Sequence, residues 1–373
     1  MLEHLFGVPF TLVSFIVALS VVVFVHEFGH FIIARRCGVR CESFSIGFGP
    51  ELFGFTDRYG TRWKVSLLPL GGYVRMFGES DEMRAIEGGA AAGESTALTA
   101  EEKAVSLKYK TVGQRAAIVF AGPAVNFVFA IAVFTVVFMS FGQQVVDPVV
   151  GSVIESSAAA EAGLRPGDRI VAIDGNAIKR FDDIQRLVQL GYGAPMNVTV
   201  RRDGSELQLM VTPRVVEGKD AFGNAQKTPL LGISSGESHA VQRLGPVEAF
   251  TAAIAQTYGV VDATGVAVGQ MITGRRGTED LGGVIRIAKY SGQAAKMGFA
   301  SFVYFMAIIS INLGLINLFP VPMLDGGHLL FYAIEAVRGR PLSDRVQEWG
   351  LRIGVALVVT LMVFATWNDI VHL

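Results

Sequence analysis

Apolar residues in this chain gather into four stretches that hold no charged side chain, at positions 5–25, 116–146, 297–324 and 353–368. The first three reach the roughly 20 residues a helix needs to cross a hydrocarbon core, and the fourth does so once Leu351 and Ile370 are counted. Each stretch therefore predicts a spanning helix. The first is followed by His26, Glu27 and His30, not by a small-residue cleavage site, and no basic region precedes it, so it is expected to be retained as a span.

Between these stretches the periodicity changes. Residues 43–50, 62–68 and 71–76 alternate in the manner of strands and are punctuated by glycine and proline, which predicts hairpins directly after the first span. Residues 79–103 are acidic and rich in alanine and glycine, the composition of a flexible loop. Residues 147–214 read as a soluble module: strand 149–153, helix 158–163, turn 164–168, strand 169–173, turn 174–176, helix 181–190, then strands 196–202 and 206–212 joined at Asp203-Gly204. That order, with Gly163-Leu164-x-Pro166-Gly167-Asp168-x-Ile170-x-x-Ile173-Asp174-Gly175, resembles a PDZ domain, a fold that binds extended peptides along a sheet edge. The same pattern also suits a small β-domain that only spaces or caps the membrane core. Residues 246–274 are helical in pattern but interrupted by Glu248 and Asp262, and predict an amphipathic helix on the outer leaflet in place of a fifth span.

The predicted fold is thus a multi-span α-helical membrane protein with four spans, a membrane-associated β-sheet region and one inserted PDZ-like α+β domain. The expected divisions are 1–36 (first span), 37–111 (cytoplasmic loop with strands), 112–146 (second span) and 147–214 (PDZ-like domain). They continue with 215–296 (linker and amphipathic helical region), 297–324 (third span), 325–350 (cytoplasmic loop) and 351–373 (fourth span).

Composition agrees with this reading: of 373 residues, 51% are hydrophobic and only 17% charged, below the quarter usual for soluble domains. A net charge of −1 gives no basic face for nucleic acid. Basic residues cluster at Arg35, Arg36 and Arg40, at Lys103, Lys108, Lys110 and Arg115, and at Arg338, Arg340 and Arg345. The positive-inside rule puts those loops in the cytoplasm, and both termini and the 147–290 region on the other side. Cys37 and Cys41 are too few for a disulfide framework and read as reduced thiols near the membrane surface.

The chemistry concentrates in His26-Glu27-Phe28-Gly29-His30. On a helix the two histidines share a face and can bind zinc, with Glu27 beside them to take a proton from an attacking water. The alternative is a pair of polar residues at a helix end, but Val21–Val25 directly before them put these groups in or just below hydrocarbon, where ionisable residues point to function. Gly29 removes bulk between the two. The charge-based topology brings Asp325, in Leu324-Asp325-Gly326-Gly327-His328, to the same depth, and two histidines with one aspartate leave the fourth position that catalytic zinc keeps open. His328 competes as ligand or serves as a neighbouring polar group. Pro320 and Pro322 break the helix before Asp325 and free backbone groups that only protein or water can satisfy. Asn312 and Asn317 either hold substrate and a developing oxyanion or bond between helices, and for Asn312 the second role weighs more.

These motifs resemble the site-2 protease family of intramembrane zinc metalloproteases (peptidase M50) over essentially the whole chain. The resemblance lies in His26-Glu27-Phe28-Gly29-His30, Gly122-Pro123-x-x-Asn126, Asn317-x-x-Pro320-x-Pro322-x-x-Asp325-Gly326 and the interposed PDZ-like module. Gly71-Gly72-Tyr73-Val74-Arg75-Met76 is similar to the membrane-associated β-loop of the bacterial regulator of sigma-E protease branch. The resemblance implies Zn2+ on His26, His30 and Asp325, Glu27 as catalytic base, and Asn317, Pro320 and Pro322 shaping the site. It also implies that Gly72, Tyr73 and Val74 handle substrate as a strand. The implied substrates are single-span membrane proteins such as anti-sigma factors or remnant signal peptides. The implied location is the bacterial inner membrane, with the PDZ-like domain and both termini periplasmic. Members of this branch often carry two PDZ modules; residues 215–245 hold too few strands for a second. Two other classes compete: a catalytically inactive membrane scaffold or PDZ adaptor, and a transporter with a broken helix at 320–325. The intact His26, Glu27, His30 and Asp325 set counts against the first, and the lack of an inverted repeat counts against the second.

Overall fold

A computed structural model describes residues 2–78, 98–219, 225–236, 239–278 and 282–372 of the chain. The residues form two compact units, one of Met1–Val133 with Gly282–Val371 and one of Phe134–Leu281 with His372–Leu373. Four helices are long and apolar enough to cross a membrane: Gly7–Arg36, Val112–Phe141, Phe299–Asn317 and Arg345–Val371.

The first unit begins with α1 (Leu2–Arg36), which ends in Arg35 and Arg36. Strands β1 (Cys41–Thr56) and β2 (Arg62–Met76) follow as an antiparallel pair. The separate strands expected at 62–68 and 71–76 are one continuous strand that bends, so that Phe44 pairs with Trp63 on one side and Val74 on the other. Gly71, with φ +130°, turns β2, and β1 bends at Gly47, whose φ is +88° and whose Cβ would lie 2.6 Å from the Leu68 carbonyl oxygen. The sheet packs on α1 through an aromatic cluster in which Phe44 stacks on Trp63 at 4.5 Å and Phe31 meets Trp63 edge-on at 5.0 Å. Cys41 is buried in this core, and Cys37 and Cys41 are not joined in a disulfide.

The flexible-loop reading of 79–103 falls mostly on 79–97, outside the described residues. Its last part is helical: α2 (Ala100–Val105) starts at a capping box in which Thr99 and Glu102 satisfy each other's backbone N–H groups. Helix α3 (Val112–Phe141) stops five residues short of the expected 146, because Gly142 turns with φ +74° into strand β3 (Gln143–Val146).

In the second unit β3 is joined by β4 (Val150–Val153), helix α4 (Ala158–Glu161), β5 (Arg169–Ile173), β6 (Asn176–Ala177), helix α5 (Phe181–Gly191), β7 (Met196–Arg202) and β8 (Ser205–Val211). The main sheet is antiparallel in the order β6-β5-β7-β8. Asp203 (φ +50°) and Gly204 (φ +81°) make the tight turn between β7 and β8, with both residues left-handed as a two-residue hairpin requires. Its core is Ile170, Ile173, Ile184, Val198, Val200 and their neighbours. Buried Asp168 takes both Nε and Nη2 of Arg202 at 2.7 Å and the Arg165 N–H at 2.8 Å, which fixes the loop before β5.

The first part of the expected linker, from 215, is largely in strands: β9 (Arg214–Lys219), β10 (Ala225–Leu230), β11 (Ile233–Ser235) and β12 (His239–Gln242). β11 pairs with β4, and β12 with β3, so these strands complete the same unit and do not build a second module. Helix α6 (Pro246–Ile272) is not among the four long apolar helices; it is held to α5 by Arg186–Asp262 at 3.5 Å and by a Gln270 hydrogen bond to the Leu190 carbonyl.

The first unit resumes with α7 (Val284–Lys296), whose N-terminus is capped by buried Asp369 through the Gly283 and Arg286 N–H groups at 2.9 and 3.0 Å. Helix α8 (Phe299–Asn317) ends before the prolines. The expected loop 325–350 is largely helical, as α9 (Asp325–Arg338) closed by left-handed Gly339, and α10 (Asp344–His372) begins nine residues before the apolar stretch. Asp325 in its first turn, Arg338 in its last and the Gly339 cap support a helix there, and the paired glycines that suggested a turn lie in its first turn.

Candidate metal centre

His26 and His30 share one face of α1, 7% and 8% exposed, and Asp325 opens α9. A carboxylate in a helix's first turn is favoured by the unpaired N–H groups there. The three side chains meet: His26 Nε2 lies 3.2 Å from His30 Nε2, and Asp325 Oδ2 lies 3.2 and 3.5 Å from these two atoms. No other cluster of metal-ligating side chains occurs among the described residues.

Helix α3 shapes the histidine pair. The His30 Nδ1–H donates to the Ile118 carbonyl at 2.9 Å, which leaves Nε2 bare and turned to the cluster. Gly122 lies against both rings: a Cβ there would sit 2.5 Å from His30 Cε1 and 2.9 Å from His26 Cε1. Pro123 follows and has no N–H for the Val119 carbonyl, a residue that lines the cavity. Gly29 lets α1 touch α3, with the Ala121 backbone where its side chain would be. Asn126 is wholly buried, its carboxamide 3.1 Å from His26 Nδ1.

The cluster opens into a cavity of about 330 Å³. Glu27 lines it, as do Gly72, Tyr73 and Val74 of β2, Asn317, Asp325 and His328. Gly72 presses on α1 so closely that a Cβ would meet the Ser45 oxygen at 2.7 Å and Val23 Cγ1 at 2.9 Å, with Glu27 Cγ at 3.5 Å. Asn317, the last residue of α8, brings Nδ2 to 3.4 Å from His26 Nε2. Pro320 and Pro322 lie in the non-helical segment between α8 and α9, where Met323 has φ +105° and Gly327 is packed against Val321 and Pro322. Gly350 and Gly354 of α10 also face Pro322.

Asn312 is not among the cavity-lining residues; its amide donates to the Ile308 carbonyl of its own helix at 3.0 Å. His328 lines the cavity but stands outside the triangle of His26, His30 and Asp325. Two residues at the centre, Gly122 and Asn126, carried no role in the sequence reading beyond their place in a motif; their signal was a helix-interior glycine-proline pair with a lone Asn one turn on.

A peptidase family M50 model matches residues 14–361, spanning the histidine pair and the aspartate. The chain belongs to peptidase family M50. Among M50-like relatives, an Agrobacterium fabrum protein named "Putative zinc metalloprotease Atu1380" is 47% identical over 96% of this chain and 95% of its own length. A Rhizobium meliloti protein with the corresponding name, R01501, is 42% identical over 98% and 97%. "Metalloprotease MmpA" of Caulobacter vibrioides is 36% identical over 98% and 96%. Membership makes this chain a member of a hydrolase family, with four apolar helices suited to a membrane protease.

Proposed function

We propose that this chain is an intramembrane zinc metalloendopeptidase that hydrolyses peptide bonds of single-span membrane proteins. The observation that carries the reading is the donor triangle of His26, His30 and Asp325, with edges of 3.2, 3.2 and 3.5 Å. Tetrahedral zinc with ligands at about 2.0–2.1 Å spaces them roughly 3.3–3.4 Å apart, so the donor set fits the ion in both chemistry and size. Asp325 Oδ2 is buried with no hydrogen-bond partner among the described residues, as a ligand oxygen would be. Relatives named zinc metalloproteases support the choice of metal.

Zinc held there supplies Lewis acidity, polarising a peptide carbonyl and making water acidic near neutral pH. Glu27 takes the proton from the attacking water and delivers it to the leaving amine. Asn317 offers an N–H to the oxygen on which charge develops. Helical backbone shields its carbonyls, so the substrate must present an extended segment. Residues 72–74, on the outer side of the β sheet and in the cavity wall, suit such a segment as an added strand. Pro320, Pro322 and the irregular backbone around them keep this part of the wall non-helical.

In this reading the four apolar helices cross a bacterial inner membrane. Residues 147–214 of the second unit are a PDZ-like domain in the periplasm, both termini lie on that side, and the substrates are of the anti-sigma-factor or remnant signal-peptide type. The test is cleavage of a single-span reporter by detergent-solubilised protein, with bound zinc measured alongside. Glu27→Gln is expected to keep its zinc and lose cleavage. Equal behaviour of both proteins, with zinc in neither, would sink the proposal.

A further inference from the structure

We infer that Asn126 is a positioning residue for the metal, holding His26 with its carboxamide oxygen on His26 Nδ1–H. The inference rests on the zinc reading above and extends it to a residue outside the ligand set.

The two histidines are held differently. His30 is fixed by a carbonyl, Ile118 O, which can only accept; its Nδ1 therefore carries the hydrogen and its Nε2 the lone pair. His26 Nδ1 faces a carboxamide, which offers an acceptor at one end and a donor at the other. With the Asn126 NH2 toward Nδ1, as the 3.1 Å contact stands, Nδ1 accepts and the hydrogen moves to Nε2, where it blocks ligation. With the oxygen toward Nδ1, the hydrogen stays on Nδ1 and both histidines present bare Nε2 atoms to Asp325. A half-turn of the amide exchanges the two arrangements.

Readiness for the metal decides between them. Asn126 is fully buried, and with the NH2 toward His26 its Oδ1 has no hydrogen-bond partner among the described residues. The half-turn gives that oxygen the Nδ1–H as partner and moves the NH2 into its former place; it is the orientation that readies His26 for a metal. The rest of the residue cannot move away. Ser310 Oγ of α8 donates to the Asn126 carbonyl at 3.1 Å, and Gly314, one turn further, leaves only 3.2 Å between its own missing Cβ and the Asn126 Cβ. The helix that carries Asn317 thus also clamps the residue that orients His26.

The experiment measures zinc affinity of the detergent-solubilised full chain by competition with a chromophoric chelator, for wild type, Asn126→Leu and Asn126→Asp. It adds visible spectra after cobalt loading and the Tm of each metal-free protein. Asn126→Leu, which cannot accept, is expected to bind zinc about 10–100-fold more weakly with a changed cobalt spectrum, while its metal-free Tm stays near wild type. Asn126→Asp, which can only accept, is expected to hold zinc at least as tightly as wild type. Zinc binding by Asn126→Leu at wild-type strength would overturn the inference. So would weak binding by Asn126→Asp, which would show that the NH2 is the needed end. The aspartate variant decides the matter alone if the leucine variant fails to fold. Wild type that takes up no zinc, or keeps it in His26→Ala, would remove the metalloprotease reading itself and this inference with it.

Discussion

Arg115 of α3 donates Nη2 to Glu335 of α9 at 2.6 Å, and its guanidinium lies 4.8 Å from the centre of the Tyr332 ring. The pair is mostly withdrawn from solvent, with side chains 14% and 13% exposed. It ties the helix that holds His30, through Ile118, to the helix whose first residue is Asp325. Losing one partner of such a pair leaves a buried charge uncompensated, which costs about 3–5 kcal/mol, whereas replacing both with apolar residues of similar size costs far less. Arg115→Met and Glu335→Leu should each lower stability and zinc retention, and the double variant should recover most of the loss. Unfolding midpoints of all four proteins in a double-mutant cycle measure this; strictly additive losses would argue against a coupled pair.

Gly122→Ala should destroy the metal site without unfolding the protein. The new methyl falls on the His30 and His26 rings, both held by α1 and by polar partners on α3. Zinc content should drop to background and cleavage with it, while circular dichroism stays that of the wild type. Full zinc occupancy in this variant would show that the rings can yield.

Chelation of zinc should abolish cleavage, and stoichiometric zinc should restore it. Asp325→Asn removes a candidate ligand's charge from the triangle, so its zinc affinity should fall by more than the roughly 10–100-fold that loss of a neighbouring partner costs. Dialysis against graded free zinc, followed by metal analysis, separates this from misfolding.

Acid should weaken the second unit through Asp168. Burial by itself would raise the pKa of this carboxyl, but the Arg202 hydrogen bonds, the Arg165 N–H and the nearby positive charge outweigh it and hold the pKa below the ordinary value. A group depressed in the folded state stabilises fully above its unfolded pKa, about 3.9 for Asp, and that contribution fades as pH falls through the folded value. Hydrogen exchange in residues 164–202 should therefore be unaffected by this group between pH 7 and 5 and accelerate below about pH 4. In Asp168→Asn the acid-dependent part should vanish, and protection at pH 7 should be lower by on the order of 3 kcal/mol, because Arg202 loses its partner.

Sequence legibility followed the range of the interactions involved. His26 and His30 were readable because ligand spacing within one helix is a local property. Asp325 came within reach through charge topology, which sets depth. Asn312, for which bonding between helices outweighs a substrate role, donates within its own helix, and five residues turn it roughly 140° away from Asn317. The α9 helix was hidden by Gly326 and Gly327, which read as a turn but are small because the Leu318 and Val321 backbone carbonyls leave no room for a side chain. Asn126 shows only as a place in the Gly122-Pro123 motif and Ile118 in no pattern at all, since their importance comes from which helix they touch. The close approach of Gly47 in β1 to Leu68 in β2 is likewise a contact absent from strand periodicity.

The donor triangle is discontinuous in the chain, with two members at positions 26 and 30 and the third at 325 of 373. A ribosome making this protein exposes both histidines long before the aspartate, and the set of three cannot close until residues 31–325 have been synthesised and α9 has docked beside α3. During that interval the growing chain lacks the complete triangle, so under the proposed function hydrolytic competence waits on the docking of α9.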